Sequence, residues 1–84
     1  MKIIKITALW CPSCLIMNGM IDEIISKYNV EMISYDFDLN IEEVEKYNVG
    51  NILPVLIKVD EEGNEISRIT GEHKEQEIID FIEG

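Results

Sequence analysis

The apolar positions along the chain change period several times, and each change marks an element. Residues 2–8 are rich in Ile and Thr and predict a strand. A break follows at Cys11, and Pro12 stands where a helix would begin, a position at which its missing N–H costs nothing. From residue 14 to about residue 28, Leu15, Met17, Ile21, Ile24, Ile25 and Tyr28 recur at helical spacing and describe one apolar face. Gly19 inside that helix predicts a bend or a close contact. A second strand is expected over 31–37, with Met32, Ile33, Tyr35 and Phe37. A short helix over 41–47 follows, for which Asp38 and Asn40 are candidate caps. Residues 55–59 are apolar almost throughout, as in a buried strand. Residues 60–64 have the composition of a hairpin turn, 66–69 form the fourth strand, and 74–82 the last helix.

The order β-α-β-α-β-β-α predicts one α/β domain over residues 1–84. Strands joined through a helix are parallel with a right-handed crossover, and strands joined by a tight turn are antiparallel. The expected architecture is a four-stranded mixed sheet flanked by three helices, with helices on both faces.

Charge and composition narrow the function classes. The 84 residues carry 7 Lys+Arg against 17 Asp+Glu, a formal net charge of −10. Such a surface repels phosphate backbones, so nucleic acid is not an expected partner. No apolar run approaches the roughly 20 residues of a membrane span, so no membrane is expected either. Residues 1–9 superficially resemble a secretory leader, but Lys5 interrupts the apolar stretch. The bulky Trp10 also argues against a lipoprotein cleavage site before Cys11. A cytoplasmic monomer is the expectation.

The chain has 2 cysteines, Cys11 and Cys14. A bond across one helical turn closes a tiny loop and would constrain the fold little, so the pair points to chemistry more than to architecture. The thiolate is the nucleophile in disulfide exchange, and a helix N-terminus stabilises it through unpaired amides and the helix dipole. Cys11 is the candidate attacking sulfur, the more exposed and more acidic of the two. Cys14, one turn on, is the candidate resolving sulfur. Trp10 would flank the pair as an apolar platform for substrate. Zinc is the usual rival for a C-x-x-C, but a site within one chain needs two more ligands and only His73 is on offer. No metal and no cofactor other than a redox-active Cys11–Cys14 disulfide is expected.

The run Trp10-Cys11-Pro12-Ser13-Cys14 resembles the active-site motif of the thioredoxin superfamily. The likeness continues through Met20-Ile21-Asp22-Glu23-Ile24 to Tyr28, and resumes at Tyr47-Asn48-Val49-Gly50-Asn51-Ile52-Leu53-Pro54. Gly71 matches the glycine after the final strand. The resemblance implies a minimal thioredoxin-like fold of glutaredoxin size, without the N-terminal strand–helix unit of full-length thioredoxins. It implies Cys11 and Cys14 as catalytic residues and Trp10, Pro12, Leu53, Pro54 and Gly71 as substrate-binding residues. It further implies a cis Leu53–Pro54 bond that brings Leu53 beside Cys11, its backbone N–H and C=O left free for an extended substrate.

Two positions depart from the family pattern. Lys5 stands where full-length thioredoxins have a buried acid, and Gly19 replaces the helix proline. Lys5 is expected to reach solvent across a thinly covered face. The alternative is that its charge favours a thiolate. The glutathione contacts of glutaredoxins have no counterpart, since Ile52-Leu53-Pro54 and Thr70-Gly71-Glu72 occupy their places.

Other residues have structural explanations. His73 begins or caps the last helix, Met17 and Met20 fill the core, and Tyr28, Tyr35 and Phe37 belong to the interior or its rim. Glu42, Glu43 and Glu45 form a solvated helix face.

The expected function is thiol–disulfide oxidoreductase, a carrier that reduces protein disulfides and is recharged by an upstream reductase. The alternatives are a protein-binding module on the same fold with incidental redox activity, a glutathione-linked carrier, and a metal or iron–sulfur carrier using cysteines from two chains.

Overall fold

The computed structural model describes residues 2–84; Met1 lies outside the described residues. Strand β1 (Lys2–Thr7) occupies the interior of the sheet, and its burial on both faces explains the near-continuous Ile run. Helix α1 (Pro12–Tyr28) and strand β2 (Glu31–Asp36) follow, then α2 (Ile41–Lys46), β3 (Val55–Val59), β4 (Glu65–Thr70) and α3 (Glu75–Glu83). The sheet order is β2-β1-β3-β4. β1 and β2 are parallel, as their helical crossover requires, and the β1/β3 and β3/β4 pairs are antiparallel. The predicted order, mixed sheet and helices on both faces are all present.

The period-2 pattern sorts the strands' side chains onto two layers. Ile3 and Leu56 meet Met17, Ile21, Ile24 and Ile25 of α1 and Ile78 and Ile82 of α3. On the opposite face Ile4, Ile6, Val55, Ile57 and Val59 pack with Val44 of α2, and this cluster extends to Cys11, Cys14 and Leu53. Tyr35 and Phe37 pack at the rim of the second layer and Tyr28 at the rim of the first, as expected. Among the described residues no helix is long and apolar enough to cross a membrane.

Local chemistry sets the ends of the elements. Asn29 terminates α1 in the left-handed conformation at φ 53°, a role for which asparagine is suited. In the β3–β4 turn the Asp60 carboxylate accepts the N–H groups of Glu62 and Asn64, and Gly63 supplies φ 87°.

Four expectations are corrected. Asn40 holds the N-cap position of α2, but its side chain caps nothing there: Oδ1 accepts the Asp36 N–H at 2.8 Å instead. Asp38 does not cap either; its carboxylate binds Trp10. His73 lies just before the N-cap position, which Lys74 occupies, and its ring spans Thr70 O at 2.9 Å and Glu77 Oε2 at 3.3 Å. At Gly19 the expected close contact is absent, because a Cβ there would meet nothing within 4 Å, and α1 runs on through it.

Gly19 therefore carries the entropic cost of a helical glycine with no packing return. Gly19→Ala should stabilise the protein by about 0.5–1 kcal/mol. Urea unfolding will show this as a higher midpoint at unchanged slope.

Candidate active site

The site forms where the chain leaves β1, enters α1 and re-enters the sheet at β3. Cys11 is the N-cap of α1, with extended backbone at φ −96°, ψ 109°. Its N–H is bonded to Ala8 O at 3.2 Å, which holds the turn. Pro12 starts the helix and is exposed, so the first turn keeps its φ without needing a donor. The Cys11 Sγ accepts the N–H of Cys14 at 3.4 Å, as a capping side chain does. Both cysteines are free thiols, 6% exposed at Cys11 and 1% at Cys14. The expected ordering of accessibility holds, but Cys11 is itself buried.

Leu53 and Pro54 lie against this sulfur. Their peptide bond is cis, as expected. The Cys11 thiol is 3.6 Å from Leu53 O and donates to it, so that carbonyl is engaged and not free. The side chains of Leu53 and Pro54 are buried in the core, which leaves them only backbone to offer a partner. Gly71 joins the group through its N–H, which donates to Pro54 O at 2.8 Å. It sits at φ 81°, and a Cβ there would lie 3.4 Å from Ile52 Cγ2. Glycine is thus required by conformation and by the tight approach.

Trp10 is 54% exposed yet anchored. Its indole N–H donates to Asp38 Oδ2 at 2.7 Å, and its ring meets Phe37 edge-on, centroids 5.8 Å apart. Asp38 was missed as a site residue because its partner is 28 positions away in the chain. Ile52 was missed as well. It is exposed, as are Leu9 and Leu15, and with Trp10 these residues put apolar surface on the segments flanking Cys11. All seven site residues expected from the sequence fall in one cluster of three segments, residues 10–14, 53–54 and 71.

The two sulfurs are electrostatically unequal. Burial pushes the Cys14 thiol from its ordinary 9.0 up to about 11, and the hydrogen bond with Cys11 pushes the same way. The backbone at Ala8 and the positive charge of Lys5 pull against this rise. Lys5 does not reach solvent as expected. It is buried on the sheet, with its Nζ 3.2 Å from Asp22 Oδ1 on α1. Among the described residues no group of three or more His, Cys, Asp or Glu side chains converges as metal ligands would.

A βαβ half joined to a β-hairpin and a final helix, with a thiol pair at the first helix N-terminus and a cis-proline beside it, defines the thioredoxin-like class. The thioredoxin family model matches residues 1–84. The chain belongs to the thioredoxin family, a family of thiol–disulfide oxidoreductases. Its structure is similar to thioredoxin 1 of Thermosipho africanus, with a TM-score of 0.86 and 26% identity over 99% of this chain and 91% of that one. It is similar in fold to the reduced thioredoxin pre-protein of Schistosoma mansoni, with a TM-score of 0.87 and 23% identity over 98% and 75% of the two chains. Fasciola hepatica thioredoxin gives a TM-score of 0.86 and 23% identity over 98% and 77%. No curated protein sequence matches the chain significantly.

The raised Cys14 value makes a stability statement. The native state keeps a proton that the unfolded chain releases above about pH 9. Stability from this group is therefore full below pH 9 and is lost as pH rises toward 11. Measured against Cys14→Ala by denaturant unfolding, the reduced protein should lose on the order of 2 kcal/mol across that interval. A difference that stays flat with pH would show that the thiol is not held protonated.

Proposed function

We propose that this protein is a disulfide reductant that exchanges its Cys11/Cys14 dithiol with disulfides of protein substrates. The observation that carries the proposal is the seat of Cys11. Its sulfur caps a helix, belongs to the less buried residue of the pair, and lies beside the Leu53 carbonyl. Cys11 attacks as the thiolate, stabilised by the Cys14 N–H and the α1 N-terminus. The substrate disulfide opens into a mixed disulfide with Cys11, and the departing substrate sulfur takes a proton. Cys14 then attacks the Cys11 sulfur, forming the intramolecular disulfide and releasing the second substrate thiol.

An extended substrate would lie over Trp10 and Pro12 and the turn before β3. Once Cys11 has reacted, its thiol no longer donates to Leu53 O, and that carbonyl becomes an acceptor for the bound chain. Substrate binding and reaction at Cys11 then promote each other. Side-chain tolerance follows, because the contacts that orient the substrate are backbone and apolar.

The direction of exchange is supported by Cys14. A strong oxidant gains its power from a stabilised dithiol form. Burial denies the Cys14 thiolate that stabilisation, which suits a reductant. Such a carrier works in a reducing compartment such as the cytoplasm, returned to the dithiol by an upstream reductase.

Insulin reduction in the presence of dithiothreitol tests the activity. The protein should accelerate precipitation of the insulin B chain, Cys11→Ser should be inactive, and Cys14→Ser should accumulate mixed disulfides. Iodoacetamide at mildly acidic pH should label Cys11 first. Preferential labelling of Cys14, or insulin reduction that survives loss of Cys11, would overturn the assignment.

A further inference from the structure

Lys5 is a charged residue at the middle of an interior strand, 6% exposed between Ile4 and Ile6. Burying an ammonium costs several kcal/mol unless it is paired and hydrogen-bonded. Its partner Asp22 sits on the outer side, with a side chain 60% exposed, so the pair is compensated from one side only. On α1, Asp22 belongs to a row with Cys14 and Asn18, at i, i+4 and i+8 on one helix face. The Asn18 Oδ1 is buried and has no hydrogen-bond partner. The row thus holds a thiol, an orphaned acceptor oxygen and a carboxylate, and Lys5 of β1 bonds to the carboxylate, at the end away from Cys14.

We propose that Lys5, held by Asp22, is a positioning residue for the resolving step, its buried positive charge favouring the Cys14 thiolate as it attacks. This rests on the exchange reaction proposed above. Among the forces acting on the Cys14 proton, the charge of Lys5 opposes burial and the neighbouring Cys11. The remaining cation on this face of the sheet, Lys58 of β3, lies over the Phe81 ring at 5.3 Å. α3 closes the face with the apolar Ile78 and Ile82. In the step itself the Cys14 thiol loses its proton to water, and the sulfur bonds to Cys11 Sγ. The bond between Cys11 and the substrate sulfur breaks, and that sulfur leaves with the electron pair and is protonated by solvent. Lys5 gains and loses no proton; it acts by charge. At neutral pH Cys14 is an uncharged thiol in the resting dithiol form and uncharged disulfide sulfur in the oxidised form, so the charge of Lys5 acts on the rate more than on the equilibrium.

The test uses 5,5′-dithiobis(2-nitrobenzoate), which releases one thionitrobenzoate on attack by Cys11 and a second when Cys14 displaces it from Cys11. Lys5→Met should slow the second phase about threefold or more and displace its pH profile upward. The midpoint potential at neutral pH should stay unchanged, and stability should be equal or greater, since a half-compensated buried charge has been removed. Lys5→Arg should restore the rate. Lys5→Gln, which keeps a polar head for Asp22 but no charge, should show the same loss and serves if methionine is not tolerated. A second phase within twofold of the unaltered protein in both neutral variants overturns the role of Lys5 alone. Absence of a second phase in the unaltered protein instead overturns the exchange reaction on which it rests.

Discussion

The antiparallel pairing of β1 with β3 is the constraint on which the site depends. Its register runs from Lys2 opposite Val59 to Ile6 opposite Val55, so the chain leaving β1 and the chain entering β3 emerge at the same end of the sheet. That places the turn to Cys11 next to Leu53 and Pro54 without any direct bond between the two segments' backbones. The same end gathers two further loops, through Phe37 N–H to Thr7 O and Gly71 N–H to Pro54 O, both at 2.8 Å. The register is held by burial. A slip of one residue would turn Ile4, Ile6, Val55, Ile57 and Val59 off their shared layer.

The two sulfurs differ because this geometry buries them to different depths along one helix turn. Cys11 stands at the capping position, where its sulfur accepts the Cys14 N–H; Cys14 has entered the core and loses hydration. Anchored against Asp38 and Phe37, Trp10 presents a fixed apolar surface beside the shallower sulfur. A freely rotating indole would lose more side-chain entropy on docking a partner.

Charge is distributed unevenly between interior and surface. Of the 7 basic residues, Lys5 and Lys58 are buried on the sheet, and each is accommodated differently, by a carboxylate and by an aromatic face. The acidic residues remain outside. A buried charge of this kind contributes little to stability, and the Asp22 that pairs with Lys5 is itself 60% exposed.

Residue periodicity and turn chemistry made the element order legible to within a residue or two at most ends, because burial on one or two faces writes itself locally along the chain. The Cys11-Pro12-Ser13-Cys14 motif and its place between strand and helix were legible for the same reason, and the family resemblance located Leu53, Pro54 and Gly71. What the sequence could not show was set by contacts between distant segments. Asp38 has the composition of a helix cap, yet Trp10, 28 positions away, claims its carboxylate. Leu53 O was expected to be free, and a thiol 42 positions away engages it. Lys5 carries the local signature of a solvent-seeking side chain. Only the packing of α1 over β1, with Asp22 at the right turn of the helix, draws it into the interior. Local pattern determined which residues form elements and where along them the two thiols stand; tertiary packing decided what surrounds each charge and each sulfur, because solvation and Coulomb energy depend on distance in space.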